Sequence, residues 1–93
     1  MGDIMGKKYD VINDETVRKD VRYVSFMGQL QRYDLAILDD HEDANKKLII
    51  NLRKNRCLSI GKEDLQDKGV IEHTFKEANM EADEIRHFLQ NNL

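Results

Sequence analysis

Between Arg22 and Gly61 the apolar residues fall into four short runs separated by polar breaks. "RYVSFMG" is rich in aromatic and β-branched residues and stops at Gly28, the pattern of a strand with a terminator. "YDLAILD", "KLIINLR" and "RCLSIG" follow. In the third run Leu48, Ile50 and Leu52 alternate against Lys47, Asn51 and Arg53. In the fourth, Leu58 and Ile60 point inward, with Cys57 and Ser59 on the other side. The joins are "QLQR", "DHEDANK" and the pair Lys54–Asn55. Such lengths suit antiparallel hairpins and are too short for parallel crossovers. Asn55 tolerates the positive φ that a tight turn requires. The segment Tyr9–Ile12 offers a short fifth strand at an edge, and "NDETVRKD" after it reads as a loop.

The period then changes. "GKEDLQDKG" suits one helical turn, acidic at its start and closed by Gly69. "VIEHTF" fits either an extended or a helical segment. Asn79 reads as an N-cap, with Glu81, Asp83 and Glu84 in the favourable first turn. Ala82, Ile85, Phe88 and Leu89 share one face, and Asp83, His87 and Gln90 point away. The expected fold is α+β: a four- to five-stranded antiparallel meander packed by a C-terminal helix and a short helical turn. Residues 1–8 read as a mobile tail and 9–93 as one domain. The second run is apolar on both faces, Leu35 and Ile37 on one, Ala36 and Leu38 on the other. One helix cannot cover both. The second face needs either the segment 62–78, through Val70, Ile71 and Phe75, or a second subunit, and a symmetric homodimer is expected.

Composition narrows the class. A chain of 93 residues with 40% hydrophobic and 35% charged residues supports one small core. There is no proline to interrupt the elements. Cys57 is the lone cysteine, which favours a reducing compartment. The start "MGDIMGKKYD" has no apolar core of a secretory signal, and no run approaches the roughly 20 apolar residues of a membrane span. A cytoplasmic protein without membrane contact is expected. The net charge of -3 is unevenly placed: residues 18–56 carry 9 basic and 6 acidic side chains, residues 57–93 carry 4 and 8. The acidic total argues against non-specific DNA binding, while the basic middle keeps an anionic partner open.

"RYVSFMG" followed after three residues by "RYDLAI", together with "IGKEDL", "EHTF" and "EIRHFL", resembles a family of small cytosolic proteins of low-GC Gram-positive bacteria, catalogued as domain of unknown function 3055. The resemblance runs from about Tyr9 to the C-terminus. It implies a small α/β domain in a bacterial cytosol, and it implies no reaction, ligand or functional residue.

The most chemical-looking stretch is "LDDHED", with four carboxylates and a histidine between Leu38 and Asp43. As a calcium loop it fails: counted from Asp39, positions six and twelve hold Ala44 and Ile50 where Gly and Glu are needed. Asp39, His41 and Asp43 could hold zinc or manganese, but only if His73 or His87 folds back to meet His41. The simpler reading is a polar hairpin tip. Cys57 lacks a local activating group, since alternation sends Arg56 to the opposite face. Asp83 and His87, at i and i+4, form a surface pair before they form an acid–base pair. Arg22, Arg32, Arg53, Lys54 and Arg56, with Tyr23, Phe26 and Tyr33 near, could serve single-stranded nucleic acid, although the RNP signature is absent. The glycines form no phosphate loop. No catalytic or cofactor-binding residue and no cofactor is assigned. The expected function is a small non-enzymatic cytoplasmic interaction or regulatory module, a homodimer that binds another protein through its sheet face or edge. The alternatives are a single-stranded nucleic-acid binder and a metal-dependent enzyme built on Asp39–Asp43.

Overall fold

The structure is a computed structural model that describes residues 8–93. Its elements are β1 (Arg22–Met27), β2 (Arg32–Asp39), β3 (Lys46–Asn51), β4 (Arg56–Gly61), a 3-10 turn (Lys62–Gln66), α1 (Val70–Phe75) and α2 (Asn79–Asn92). The strands form one antiparallel sheet in the order β1-β2-β3-β4. Short joins make each strand the neighbour of the next, so the α+β meander expected from the period-two runs is what forms. Asn55 takes φ 56 in the β3–β4 turn, as its small amide side chain allows.

One covered face holds the core. Register aligns Val24 with Leu35, Ile37 with Ile49, and Ile49 with Leu58. Tyr33, Leu35, Ile37, Ile49 and Ile60 pack there against Leu65, Ile71, Phe75, Ala82, Ile85 and Leu89. The apolar face expected for α2 is thus the face it buries. "VIEHTF" resolves to helix: Gly69 at φ 95 turns the chain onto the sheet, and Ile71 and Phe75, four apart, both reach the core.

Four expectations change. Residues 8–21 form no strand, so the sheet has four strands among the described residues, and Ile12 of the expected edge segment is 98% exposed. A four-residue edge strand has one neighbour and no helix above it, which is too little burial to order it. On β3 the covered residue is Ile49; Leu48 and Ile50 line the other face. "LII" is apolar in both phases, so alternation alone could not choose. The cap of α2 is Ala78, with Asn79 its first helical residue. Ala78 is extended, and its carbonyl takes the first helical hydrogen bond, from the Ala82 N–H at 2.8 Å. Finally, the segment 62–78 packs on the same face as α2 and leaves the second face uncovered. β4 runs straight into the 3-10 turn, which keeps Leu65, Ile71 and Phe75 on the side of Ile60. The expected tail, residues 1–8, lies almost wholly outside the described residues. No helix among the described residues is long and apolar enough to cross a membrane.

Candidate functional site

The uncovered face has an apolar centre. Tyr23 stands opposite Ala36, Ala36 opposite Ile50, and Ile50 opposite Cys57; Leu38 and Leu48 form the adjoining row. Ala36 is small enough to be buried by its neighbours, whereas Tyr23 and Met27 are 73% and 74% exposed. The rim is polar. At one end Asp34 accepts hydrogen bonds from Ser25 Oγ (2.5 Å) and Arg32 Nε (3.1 Å), and Arg53 stands 3.9 Å away. Those partners, Ser25 first, hold the Asp34 carboxyl below its ordinary range. At the other end Asp40 accepts from the Ser59 hydroxyl and from the Glu42 N–H. An apolar centre inside a polar rim is the composition of a docking surface.

Beside this face lies the open edge of β1. Gly28 N–H donates to Gln31 C=O at 2.9 Å, and Leu52 N–H to Asp34 C=O at 3.0 Å. Antiparallel pairing alternates, so Arg22, Val24 and Phe26 turn their backbone groups toward β2. Tyr23, Ser25 and Met27 turn theirs outward, and no strand among the described residues takes them. Above this edge, between β1 and α2, runs a groove of about 590 Å³ lined by Phe26, Met27, Asp83, Glu84, His87 and Phe88. Phe26 stacks on Tyr33 (ring centroids 5.0 Å) and on Phe88 (4.2 Å), which fixes the groove floor.

Glu84 closes one end of the groove. Its carboxylate accepts from Tyr33 OH (2.6 Å), Gln29 N–H (2.5 Å) and Leu30 N–H (3.3 Å), pinning the β1–β2 turn to α2. A Cβ on residue 28 would meet this carboxylate, so a side chain there would have to push Glu84 away from its partners. The Tyr33 hydroxyl, then the two amides, hold Glu84 below its ordinary 4.5. Burial first, then Glu84, pushes Tyr33 above its ordinary 10.0. A carboxylate held low stabilises the fold above its unfolded pKa and loses that contribution as pH falls through the folded value. A tyrosine pushed up stabilises below its unfolded pKa and loses that contribution as pH rises through the folded value. Stability is therefore expected to be flat between about pH 5 and pH 9 and to fall on both sides. Tyr33→Phe should lower the melting temperature by several degrees at neutral pH and flatten the alkaline fall. Thermal melts across pH check this; an alkaline limb identical in both proteins would show that Tyr33 does not carry it.

The residues singled out in the sequence are dispersed. Asp39 pairs with Lys47 at 2.5 Å, Asp43 accepts the Asn45 N–H at 2.9 Å, and His41 stands 3.3 Å from Glu15. The hairpin's carboxylates thus serve mainly its own turn and a neighbouring strand. His87 lines the β1–α2 groove, and His73 lies on α1. Among the described residues no three His, Cys, Asp or Glu side chains gather as a metal site. Asp83 pairs with Arg86, which also reaches Glu72 at 2.8 Å. Cys57 is free and exposed on the uncovered face, with Arg56 on the other. Of the five cations, Arg32 and Arg53 converge on Asp34. Arg22 sits at the far end of β1 and donates to Asn92 C=O at 3.0 Å. Lys54 donates to Lys76 C=O at 3.0 Å and stands 3.7 Å from Glu77. Arg56 is exposed opposite Asn51.

Two arrangements went unread in the sequence. One is the Glu84 clamp, since Glu84 looked like a helix-dipole carboxylate. The other is the buried pair in which Asn51 Nδ2 donates to Glu77 Oε2 at 3.0 Å. The one local signal for the second was Asn51 itself, a polar residue in phase with Ile49 on the covered face.

Residues 12–91 match a family model described as SAV0927-like, the same family that the strand and helix segments resemble. No curated protein matches the chain.

Proposed function

We propose, for a chain that belongs to the SAV0927-like family, that it works in the bacterial cytoplasm as a small non-enzymatic interaction module, a homodimer that docks another protein on its sheet. The observation that carries this reading is the single-sided cover: three helical segments share one face, and the other presents Tyr23, Met27 and the half-covered Leu38, Leu48 and Ile50 to solvent. A partner laid on that face removes apolar surface from water at about 25 cal/mol per Å². Substituting Ile50→Glu places a charge at the centre of the face without entering the core. The variant should melt within a few degrees of the parent and lose the proteins that the parent captures from native cytosol. Equal capture by both would sink the docking face.

A second reading, single-stranded nucleic acid, draws on Arg32 and Arg53 meeting at Asp34, with exposed Met27 opposite Arg32 and exposed Tyr23 farther along the same face. Oligonucleotide binding that weakens with salt and is lost on neutralising Arg32 and Arg53 would favour it; salt-independent binding, or none, would remove it.

A further inference from the structure

We infer that two copies of the chain pair antiparallel through β1, about a two-fold axis at Ser25, and join their four-stranded sheets into one of eight strands. This rests on the homodimer reading above and names its surface.

Edge strands of free-standing domains are normally blunted by lysine, proline, a bulge or a covering segment. β1 carries none of these on its outward residues, Tyr23, Ser25 and Met27, all of which are exposed. β4 is the other edge, and it is shorter in effect. By the same alternation its outward residues are Cys57, Ser59 and Gly61. The Gly61 N–H is already taken by Asp64 Oδ2 at 3.0 Å, and the 3-10 turn leaves the sheet there.

β1 is also complementary to itself. With Ser25 facing the partner's Ser25, Tyr23 faces the partner's Met27 and Met27 the partner's Tyr23, making about six backbone hydrogen bonds. Each of those side-chain pairs sets a thioether against an aromatic ring on the uncovered face. On the covered face Val24 comes beside the partner's Phe26, over the groove floor. Charge agrees with the register. Arg22 marks one end of β1, and Asp83 and Glu84 flank the other end beside Met27 and Gly28. The two-fold axis brings each basic end to the partner's acidic end. The same axis makes the two copies' α2 helices antiparallel, each lining its groove with Asp83, His87 and Asn91, four residues apart.

The test uses the full chain. Ser25→Pro removes one outward N–H and no backbone bond to β2; it gives up the exposed hydrogen bond from the Ser25 hydroxyl to Asp34, so the fold should survive. Light scattering should show the parent as two chains at micromolar concentration and Ser25→Pro as one, both melting cooperatively. A second arm needs no fold argument. In a Cys57→Ser background, Ser25→Cys places two thiols on the axis with Cα atoms about 5.5 Å apart, within disulfide reach. Mild oxidation should cross-link most of that protein, while the parent's own Cys57 on β4 stays monomeric on a non-reducing gel. A Ser25→Pro dimer, or cross-linking at Cys57 and not at position 25, overturns the β1 pairing and leaves the homodimer reading standing. A parent that is a single chain at every concentration overturns both.

Discussion

Phe75→Ala is expected to remove about 3–5 kcal/mol, the largest loss of any single truncation considered. Phe75 is fully buried at the end of α1, in the cluster that ties α1 to β2, β3, β4 and α2. α1 has six residues, far fewer than a helix needs to stand alone in water. Its helical state depends on the two side chains it buries, Ile71 and Phe75. Removing the ring opens a cavity and releases one of the two anchors. A domain of this size has only about 5–15 kcal/mol in total, so the variant should sit near the edge of folding at 37 °C. Phe75→Leu keeps most of the volume and should lose much less. Urea unfolding reads both, as a midpoint shift at unchanged slope. A shift worth under about 1 kcal/mol for Phe75→Ala would mean that the core closes around the gap and that α1 is held by other means.

Glu77→Ala should be nearly as damaging, about 2–4 kcal/mol, for a different reason. Glu77 lies in the short link between α1 and α2 and is buried against β3. It accepts the Asn51 amide at 3.0 Å, and Lys54 stands 3.7 Å from its other oxygen. Truncation strands the buried Asn51 amide donor. The chain also loses its clip where α1 ends at Lys76, a residue already in the left-handed region at φ 57. Replacing both partners, Asn51→Val with Glu77→Leu, removes the stranded groups together and should recover much of the loss. A double-mutant cycle measured by urea unfolding separates the two accounts. Additive losses from the two single changes would show that Asn51 and Glu77 do not act as a pair.

How far the sequence reached depends on the range of the interaction concerned. Four strands, their order and their antiparallel sense were legible because period-two runs and short joins are local facts, and a short join admits one neighbour. The buried stripe of α2 was legible for the same reason: Ala82, Ile85, Phe88 and Leu89 recur at helical spacing. Site residues were another matter. "LDDHED" looked like chemistry because carboxylates crowd a short window, yet in three dimensions they serve Lys47, Ser59 and backbone N–H groups of their own hairpin.

By itself, then, the sequence determined the strands, their neighbours and which stripe of α2 turns inward, since each follows from spacing along the chain. Only the tertiary structure decided the rest. Ile49 rather than Ile50 went inward because the registers with Ile37 and Leu58 chose between two equally apolar phases. Glu84 found Tyr33 across 51 residues and Glu77 found Asn51 across 26, contacts that no local window contains. The cover of the sheet was settled where β4 runs straight into the 3-10 turn and where Gly69 then turns the chain, which together leave every helical segment on one side. That outcome exposes the second face and the β1 edge, the two surfaces on which the proposed interactions depend.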